Sequence, residues 1–324
     1  MYQLIPATLL MAAMTASLPA QAQSWPQKPV TMLVSQAAGA SPDVFCRILS
    51  ERLSRALGQQ FLVENRPGAS NMIGSRAAAR AAPDGYTFLF ATSAALVTNP
   101  YTFKTLGYDP VRSFTPVAMV AKSTIVLLAH PDLPAKTLPE LIALEKSQPG
   151  KLSLAVDSPR NLSGIIGQYL NKLAGTQFVL ISYPNIPTAL TDAVTGRVQT
   201  TIQSASIAGP FIGEGRLRPI AIAGAKRVAA LPDVPTIAES VPGIELGGWF
   251  MVMAPAGTPV EIVQRLNEAI DRVLKDPDVQ QRAPGLGFEI NAAGAGSPQA
   301  AAEFLASELA IWEKVVRELG IEPE

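Results

Sequence analysis

The chain has 324 residues, in which 26 lysines and arginines balance 26 aspartates and glutamates, with one histidine and one cysteine. A net charge of zero without a basic stripe argues against a nucleic-acid partner, and one cysteine excludes an intramolecular disulfide. One histidine also excludes a histidine cluster for a metal.

The first 22 residues predict an export signal. Residues 4–18 are apolar and uncharged, and Ala20 and Ala22 form a small-residue cleavage site, so the mature chain is expected to start near Gln23. A membrane anchor is the alternative. The apolar run is shorter than the ~20 residues of a membrane span and is interrupted by prolines, which disfavours it.

Short β-rich runs then alternate with amphipathic helical patterns, which is typical of an α/β protein with largely parallel sheets. The predicted strands are residues 30–34, 61–63, 86–91, 117–129 (one long strand or two), 152–156, 178–182, 198–202, 220–223 and 249–254. The predicted helices cover about 42–57, 72–82, 138–147, 162–174, 188–194, 259–275 and 298–319. Residues 92–116 are expected to be poor in helix.

The first helix has a clear predicted start. Ser41 is the expected N-cap, Pro42 suits the first helical position, and Asp43 complements the positive helix end. Cys46 lies inside this helix and is expected to be a buried packing residue, not a reactive thiol.

The mature chain of about 300 residues is larger than one compact core usually holds, so two lobes are expected. The run at 117–129 is long enough to cross between lobes, and 220–223 fits a return crossing. After a signal peptide at 1–22, we therefore expect one lobe from 23–121 plus 224–324 and a second lobe from 122–223, joined by a hinge.

Enzyme signatures are absent from the sequence. His130 is the only histidine and is expected at a strand end, and neither a P-loop nor a Gly-x-Ser-x-Gly elbow occurs. The sequence does not exclude a catalytic pair of carboxylates, because Asp43, Asp157 and Asp192 could meet in space. Caps and turns are the commoner roles of such residues. The sequence predicts no catalytic residue, no metal site and no cofactor.

Three loops end predicted strands and open predicted helices, at residues 36–43, 91–95 and 157–163. Backbone N–H groups at a helix start lack partners within the helix and carry partial positive charge, so they can hold a carboxylate without lysine or arginine. The alternative is that these are ordinary capped helix starts, and spacing alone leaves both open.

Several short segments resemble one family: AGASPD at 38–43, VENRPGA at 63–69, AAPDGY at 81–86, YDP at 108–110, LPDVPT at 231–236, GWF at 248–250 and APAGTP at 254–259. Their number and order over nearly the whole mature chain are similar to those of the solute receptors of tripartite tricarboxylate transporters, the Bug-type periplasmic binding proteins. The resemblance implies a type II periplasmic-binding-protein-like α/β fold, in which two Rossmann-like lobes joined by crossover strands close on a ligand in the cleft between them.

The resemblance also implies a function and partners. It implies a periplasmic receptor, not an enzyme, that binds a small organic acid or an acidic amino acid. The sequence leaves the oligomeric state open, and a monomer is expected by default. The implied protein partners are the membrane subunits of a transporter or a sensor kinase, with no role for nucleic acid. The rival class is a secreted hydrolase or lyase that uses the same cleft, and it lacks a nucleophile motif and a metal set.

The chain departs from the family pattern where ligand choice is made. The usual glycine-rich loop is replaced by residues 157–161 with a cation at Arg160, and Gln199 and Gln203 stand where acids are common. We therefore expect Arg160 and Gln203 to adapt the cleft to a different ligand. The candidate ligand-binding residues are Gln36, Ala37, Ala38, Gly39, Ala40, Ser41, Asp43, Thr92, Ser93, Ser158, Arg160, Asn161, Ser163, Pro184, Asn185 and Gln203.

Overall fold

The computed structural model describes residues 25–183 and 186–324. The predicted export signal and two candidate site residues, Pro184 and Asn185, lie outside these residues. Within the described chain, no helix combines the length and the apolar composition that crossing a membrane requires. In the same residues, no group of three or more His, Cys, Asp or Glu side chains is placed to hold a metal ion.

Six strands form the first sheet: β1 (Val30–Val34), β2 (Phe61–Asn65), β3 (Thr87–Thr92), β4 (Phe114–Ser123), β10 (Gly248–Pro255) and β11 (Phe288–Glu289). Their spatial order is β11-β4-β10-β3-β1-β2. Strand β1 runs parallel to β2 and β3, whereas β10 is antiparallel to β3 and β4. Because β1 and β3 are parallel neighbours, the segments that follow them begin at the same edge of the sheet.

Five strands form the second sheet: β5 (Ile125–Ala129), β6 (Ser153–Val156), β7 (Val179–Ser182), β8 (Thr200–Ser204) and β9 (Arg218–Ile222), in the order β7-β6-β8-β5-β9. Strand β6 is parallel to β7 and β8, and β5 is antiparallel to β8 and β9. The predicted run at 117–129 is thus two strands that belong to different sheets. Between them lies only Thr124, where the chain passes from one sheet to the other.

The helices flank both sheets. They are α1 (Ser41–Leu57), α2 (Met72–Ala79), α3 (Asn99–Thr102), α4 (Leu138–Ser147), α5 (Leu162–Ala174), α6 (Ile186–Val194), α7 (Ala205–Gly213), α8 (Val260–Leu274), α9 (Pro277–Gly285) and α10 (Pro298–Leu319). The predicted helices are all present, with ends that shift by a few residues.

Some helical elements were not predicted. A π-helical turn at Ala94–Thr98 and α3 fill part of the stretch that was expected to be poor in helix, so that expectation is wrong. Helices α7 and α9 each contain an internal proline, Pro210 and Pro284. Proline removes a backbone donor and normally breaks a helix, and no helix was predicted at either place.

The first sheet packs on α1 through an aromatic cluster. The rings of Phe45 and Phe288 lie 5.0 Å apart and those of Phe90 and Phe250 lie 5.5 Å apart, measured between centroids. Beside Phe45, Cys46 is fully buried, and burial raises the pKa of its thiol to about 12. Because the thiolate is the reactive form, this cysteine is an inert packing residue, as its sequence position predicted.

A second apolar core connects the two sheets. One continuous cluster contains Leu127 and Ile165 beside the second sheet together with Trp249 and Trp312 beside the first. The two halves are therefore joined by packed side chains as well as by the crossing strands.

The aromatic cluster gives a test of the fold. Phe45→Ala is expected to lower the free energy of unfolding by about 3–5 kcal/mol, because it removes a fully buried ring and leaves a cavity. Val111→Ala is the control, since Val111 is 59% exposed, and its effect is expected to stay within about 0.5 kcal/mol. Urea denaturation of both variants measures the difference, and equal losses would contradict this packing.

Candidate functional site

A pocket of about 690 Å³, counting the part that is open to solvent, lies between the two sheets. Its lining comes from both halves of the molecule: Gln36, Ala40, Ser41, Pro42, Thr92, Ser93, Ala94, Ser123, Ile125, Asp157, Leu162, Ser163, Ile186, Ile202, Gln203, Ser204, Ile207, Gly248 and Phe250. Among these described residues there is no lysine, arginine or histidine, and the one carboxylic acid is Asp157.

Five helical elements begin at this pocket. They contribute Ser41 from α1, Ala94 from the π-helical turn, Ser163 from α5, Ile186 from α6 and Ile207 from α7. The first N–H groups of a helix have no partner within the helix, and the helix dipole makes this end partly positive. The pocket is thus surrounded by backbone donors, although its lining contains no cationic side chain.

The start of α1 differs from its predicted form. Ala40, not Ser41, occupies the N-cap position, and no side chain caps the helix. The carboxylate of Asp43 instead accepts a hydrogen bond from the Gly39 backbone at 2.8 Å and others from Arg47 and Asn65. Burial alone raises the pKa of Asp43, but these three donors outweigh burial and lower it. Asp43 therefore shapes the loop beneath the pocket and does not line it.

Because Ser41 is not needed as a cap, its hydroxyl joins a buried cluster of serines. The Ser41 and Ser123 hydroxyl oxygens lie 3.2 Å apart, those of Ser41 and Ser204 3.1 Å, and those of Ser123 and Ser204 2.9 Å. Ser206 extends the cluster at 2.8 Å from Ser204. This serine cluster links α1, the end of β4 and the end of β8 at the base of the pocket.

The wall from the second sheet carries Asp157, Ser163 and Gln203. Asp157 follows β6 directly, and its Oδ1 accepts hydrogen bonds from the Ser158 backbone at 2.9 Å and from the Ser163 hydroxyl. Burial raises the pKa of the Asp157 carboxyl, and the hydrogen bonds offset this only in part. Gln203 is 5% exposed, and its amide nitrogen donates to the Thr201 hydroxyl at 3.1 Å.

The structure separates the sequence candidates into groups. Those that line the pocket are Gln36, Ala40, Ser41, Thr92, Ser93, Ser163 and Gln203. Ala37, Ala38 and Gly39 are exposed on the loop before α1, and Asp43 lies beneath that loop. Ser158, Arg160 and Asn161 lie in the loop before α5 and are not part of the lining.

The guanidinium of Arg160 points to the first half of the molecule. It donates to the backbone carbonyls of Glu322 at 2.6 Å and Thr102 at 3.3 Å, and it pairs with the Glu324 carboxylate at 3.0 Å. Arg160 therefore connects the loop before α5 to the segment after α10, outside the pocket.

Sequence reasoning missed the serine cluster and the apolar part of the lining. Ser123, Ser204 and Ser206 follow no recognisable spacing, and they meet only because β4 and β8 end at the same place. Ile125, Ile202, Ile207 and Phe250 resemble ordinary core residues in the sequence. From the sequence, Asp157 was considered as a cap or as one of a carboxylate pair. Its position directly after a predicted strand was the signal that could have placed its side chain in the pocket.

Two α/β halves with a pocket between them, joined by crossing strands, define a two-lobed solute-binding protein. The family description "Tripartite tricarboxylate transporter family receptor" matches residues 45–321. The chain belongs to this family, which is one of periplasmic solute-binding receptors and not of enzymes.

Relatives of known sequence and structure agree with this. A UPF0065 protein of Bordetella bronchiseptica is 39% identical over 319 residues, which cover 98% of this chain and 94% of that protein. A protein of R. palustris solved with adipate has a TM-score of 0.88 and 34% identity, covering 93% of this chain and 100% of its own. MatC from Rhodopseudomonas palustris with bound malate has a TM-score of 0.83 and 31% identity, covering 90% and 100%. The expected type II periplasmic-binding-protein-like fold and the family resemblance are confirmed.

Gly164 gives a test of the wall near Asp157. A Cβ at this position would overlap the Ser158 carbonyl oxygen and lie 2.5 Å from the Pro159 Cα. Gly164→Ala is therefore expected to lower the free energy of unfolding by about 1–3 kcal/mol. Gly209→Ala in α7 is the matched control, because its Cβ would meet nothing within 4 Å and alanine favours the helix by about 0.5–1 kcal/mol.

Chemical denaturation of the two glycine variants measures the contrast. If Gly164→Ala is as stable as Gly209→Ala, the loop does not pack on the first turn of α5 as described.

Proposed function

We propose that this protein is a periplasmic receptor that captures a small carboxylate in the pocket between its lobes for uptake. The observation that carries the proposal is the convergence of five helix starts on a pocket whose described lining contains no basic side chain. Such donors suit a carboxylate, since they are preorganised and unpaired within the helix. The lobes of this proposal are residues 23–121 plus 224–324, and 122–223.

The available donors are sufficient for useful affinity. The N–H groups of Ser41 and Asp43 at α1, and those of Ser93 and Ala94 at the π-helical turn, donate to no capping side chain. A hydrogen bond to a charged group contributes about 1.5–3 kcal/mol, and micromolar binding requires about 8 kcal/mol, so a few such bonds approach it. The Thr92 hydroxyl, which accepts from the Ala95 backbone at 3.3 Å, adds a further donor.

The comparisons support this ligand class. The two solved relatives described above were determined with adipate and with malate, which are both small carboxylates. Each relative is matched over at least 90% of this chain, so the same pocket is expected to serve the same chemistry here.

The proposal extends to cell location and to partners. Residues 1–22 are proposed to direct export, and the receptor is proposed to act as a monomer. It would deliver its ligand to the two membrane subunits of a tripartite transporter. A sensor protein that reads the closed receptor is the alternative partner, and co-purification with transporter membrane subunits or with a sensor protein would distinguish the two.

Binding of matched acids and amides tests the proposal. Purified protein from residue 23 onward is titrated calorimetrically with succinate, malate, aspartate, adipate and 2-aminoadipate, and with succinamide and adipamide as uncharged controls. At least one acid is expected to bind with a dissociation constant of about 100 μM or lower. The amides are expected to bind at least about tenfold more weakly. Equal binding of acid and amide, or no binding by any acid to folded protein, contradicts the proposal.

Two variants separate a residue in the pocket from one outside it. Gln203→Ala is expected to weaken binding of the preferred acid by about tenfold, because it removes a polar group from the pocket wall. Arg160→Ala is expected to weaken all acids equally and by only about two- to fivefold, since its contacts join the two halves and do not reach the ligand. Arg216→Ala, whose side chain is 52% exposed, is the control.

The same calorimetric titrations provide the readout. A change in acid preference in Arg160→Ala would return this residue to the ligand-binding set predicted from sequence.

A further inference from the structure

Asp157 is the one titratable side chain in the described lining of the pocket. It stands at the carboxyl end of β6, two residues after Ala155, which pairs with Thr201 of the parallel strand β8. The same register places Asp157 level with Gln203, which also lines the pocket. Two acceptor side chains therefore stand side by side on the wall of the second sheet.

The Asp157 carboxylate occupies the start of α5. Both of its hydrogen bonds to Ser158 and Ser163 fall on Oδ1, within the loop and first turn of that helix. An anion is favoured at this end of a helix by the dipole and by the unpaired N–H groups. The positive end of α5 is thus already matched by a negative group of the chain itself.

No cation balances this charge locally. Asp43, at the start of α1, is paired with Arg47 at 3.0 Å, whereas none of the ion pairs formed by the described residues includes Asp157. A ligand carboxylate placed against Asp157 would meet a like charge in a pocket with no basic side chain, which is unfavourable at short range. The starts of α1 and of the π-helical turn, on the opposite wall, offer donors without this repulsion.

Gln203 also favours a ligand that places a hydrogen-bond donor, and not a carboxylate, at this wall. Its amide nitrogen is engaged by Thr201 at 3.1 Å, and its side-chain oxygen accepts no hydrogen bond from any described residue. At Asp157 and Gln203 the wall of the second sheet therefore presents acceptors, and the opposite wall presents donors at the starts of α1 and of the π-helical turn. A ligand that fits both walls carries a carboxylate at one end and a hydrogen-bond donor at the other.

We infer that Asp157 selects amino acids and hydroxy acids over unsubstituted carboxylates of the same length. The ammonium or hydroxyl of the ligand donates to the Asp157 carboxylate, and Gln203 accepts a second hydrogen bond from it. The carboxylate of the ligand lies at the starts of α1 and of the π-helical turn. This inference rests on the proposed function, because it names the ligand class of the same pocket.

The experiment compares acids that differ only at the donor. Wild-type protein and Asp157→Asn are titrated calorimetrically with succinate, malate and aspartate, and with adipate, 2-hydroxyadipate and 2-aminoadipate. In at least one series the wild type is expected to bind the amino or hydroxy acid about tenfold or more tightly than the unsubstituted acid. Asp157→Asn keeps the shape but removes the charge, and it is expected to reduce this ratio to about threefold or less.

Asp132→Asn is the matched control, because its side chain is 92% exposed, and it should leave the ratio unchanged. Wild-type titrations alone overturn the inference if the unsubstituted acid binds as tightly as its amino and hydroxy counterparts, even if Asp157→Asn does not fold. An unchanged ratio in folded Asp157→Asn overturns the role of this residue while the receptor function stands. Absence of binding by every acid overturns the proposed function and this inference together.

Discussion

Backbone N–H groups at a helix start have no partner within the helix, and in this protein five such starts face one pocket. The reason is topological: in each sheet, neighbouring parallel strands end at the same edge, and the segments that follow them begin there. Strand β1 leads to α1, and β3 leads to the π-helical turn. In the second sheet, β6, β7 and β8 lead to α5, α6 and α7. The positive character of the pocket follows from the path of the backbone and needs no lysine or arginine.

The serine cluster complements this arrangement. Ser41 begins α1, whereas Ser123 and Ser204 end strands of different sheets, and their hydroxyls lie within 3.2 Å of one another. These contacts bring both walls to the base of the pocket, where they are 4–7% exposed. Hydroxyls can both donate and accept, so a cluster of serines can connect two halves without placing a fixed charge beside the ligand.

Polar residues near the pocket divide into those that shape it and those that face it. Asp43 and Arg160 are both charged and both come from loops predicted to bind ligand. Asp43 bonds to Gly39 and Arg47, and Arg160 bonds to residues 102, 322 and 324, so their charges are satisfied elsewhere. Asp157 is held by hydrogen bonds alone and stays in the pocket wall. A charged residue in a binding loop is therefore informative only once its partners are known.

Local patterns were sufficient to predict the α/β architecture, most strands and helices, and three of the five helix starts at the pocket. They work because strand alternation, helix periodicity and the proline after Ser41 act over a few residues. The tightly bonded loop before α5 and the cap at Ala40 could not be predicted in the same way. The cap at Ala40 depends on the hydrogen bonds that Asp43 accepts from Gly39 and Asn65. The loop before α5 packs closely on Gly164 in the first turn of that helix.

The sequence by itself determined the family, the fold class and the loops from which a ligand site is built, because these follow from short motifs and hydrophobic periodicity. Only the tertiary structure decided which side chains line the pocket. Ser123 and Ser204 lie 81 residues apart, and Asp157 and Gln203 meet only through the pairing of β6 with β8. Such neighbours are set by strand order and register, which bring together residues that no local pattern connects.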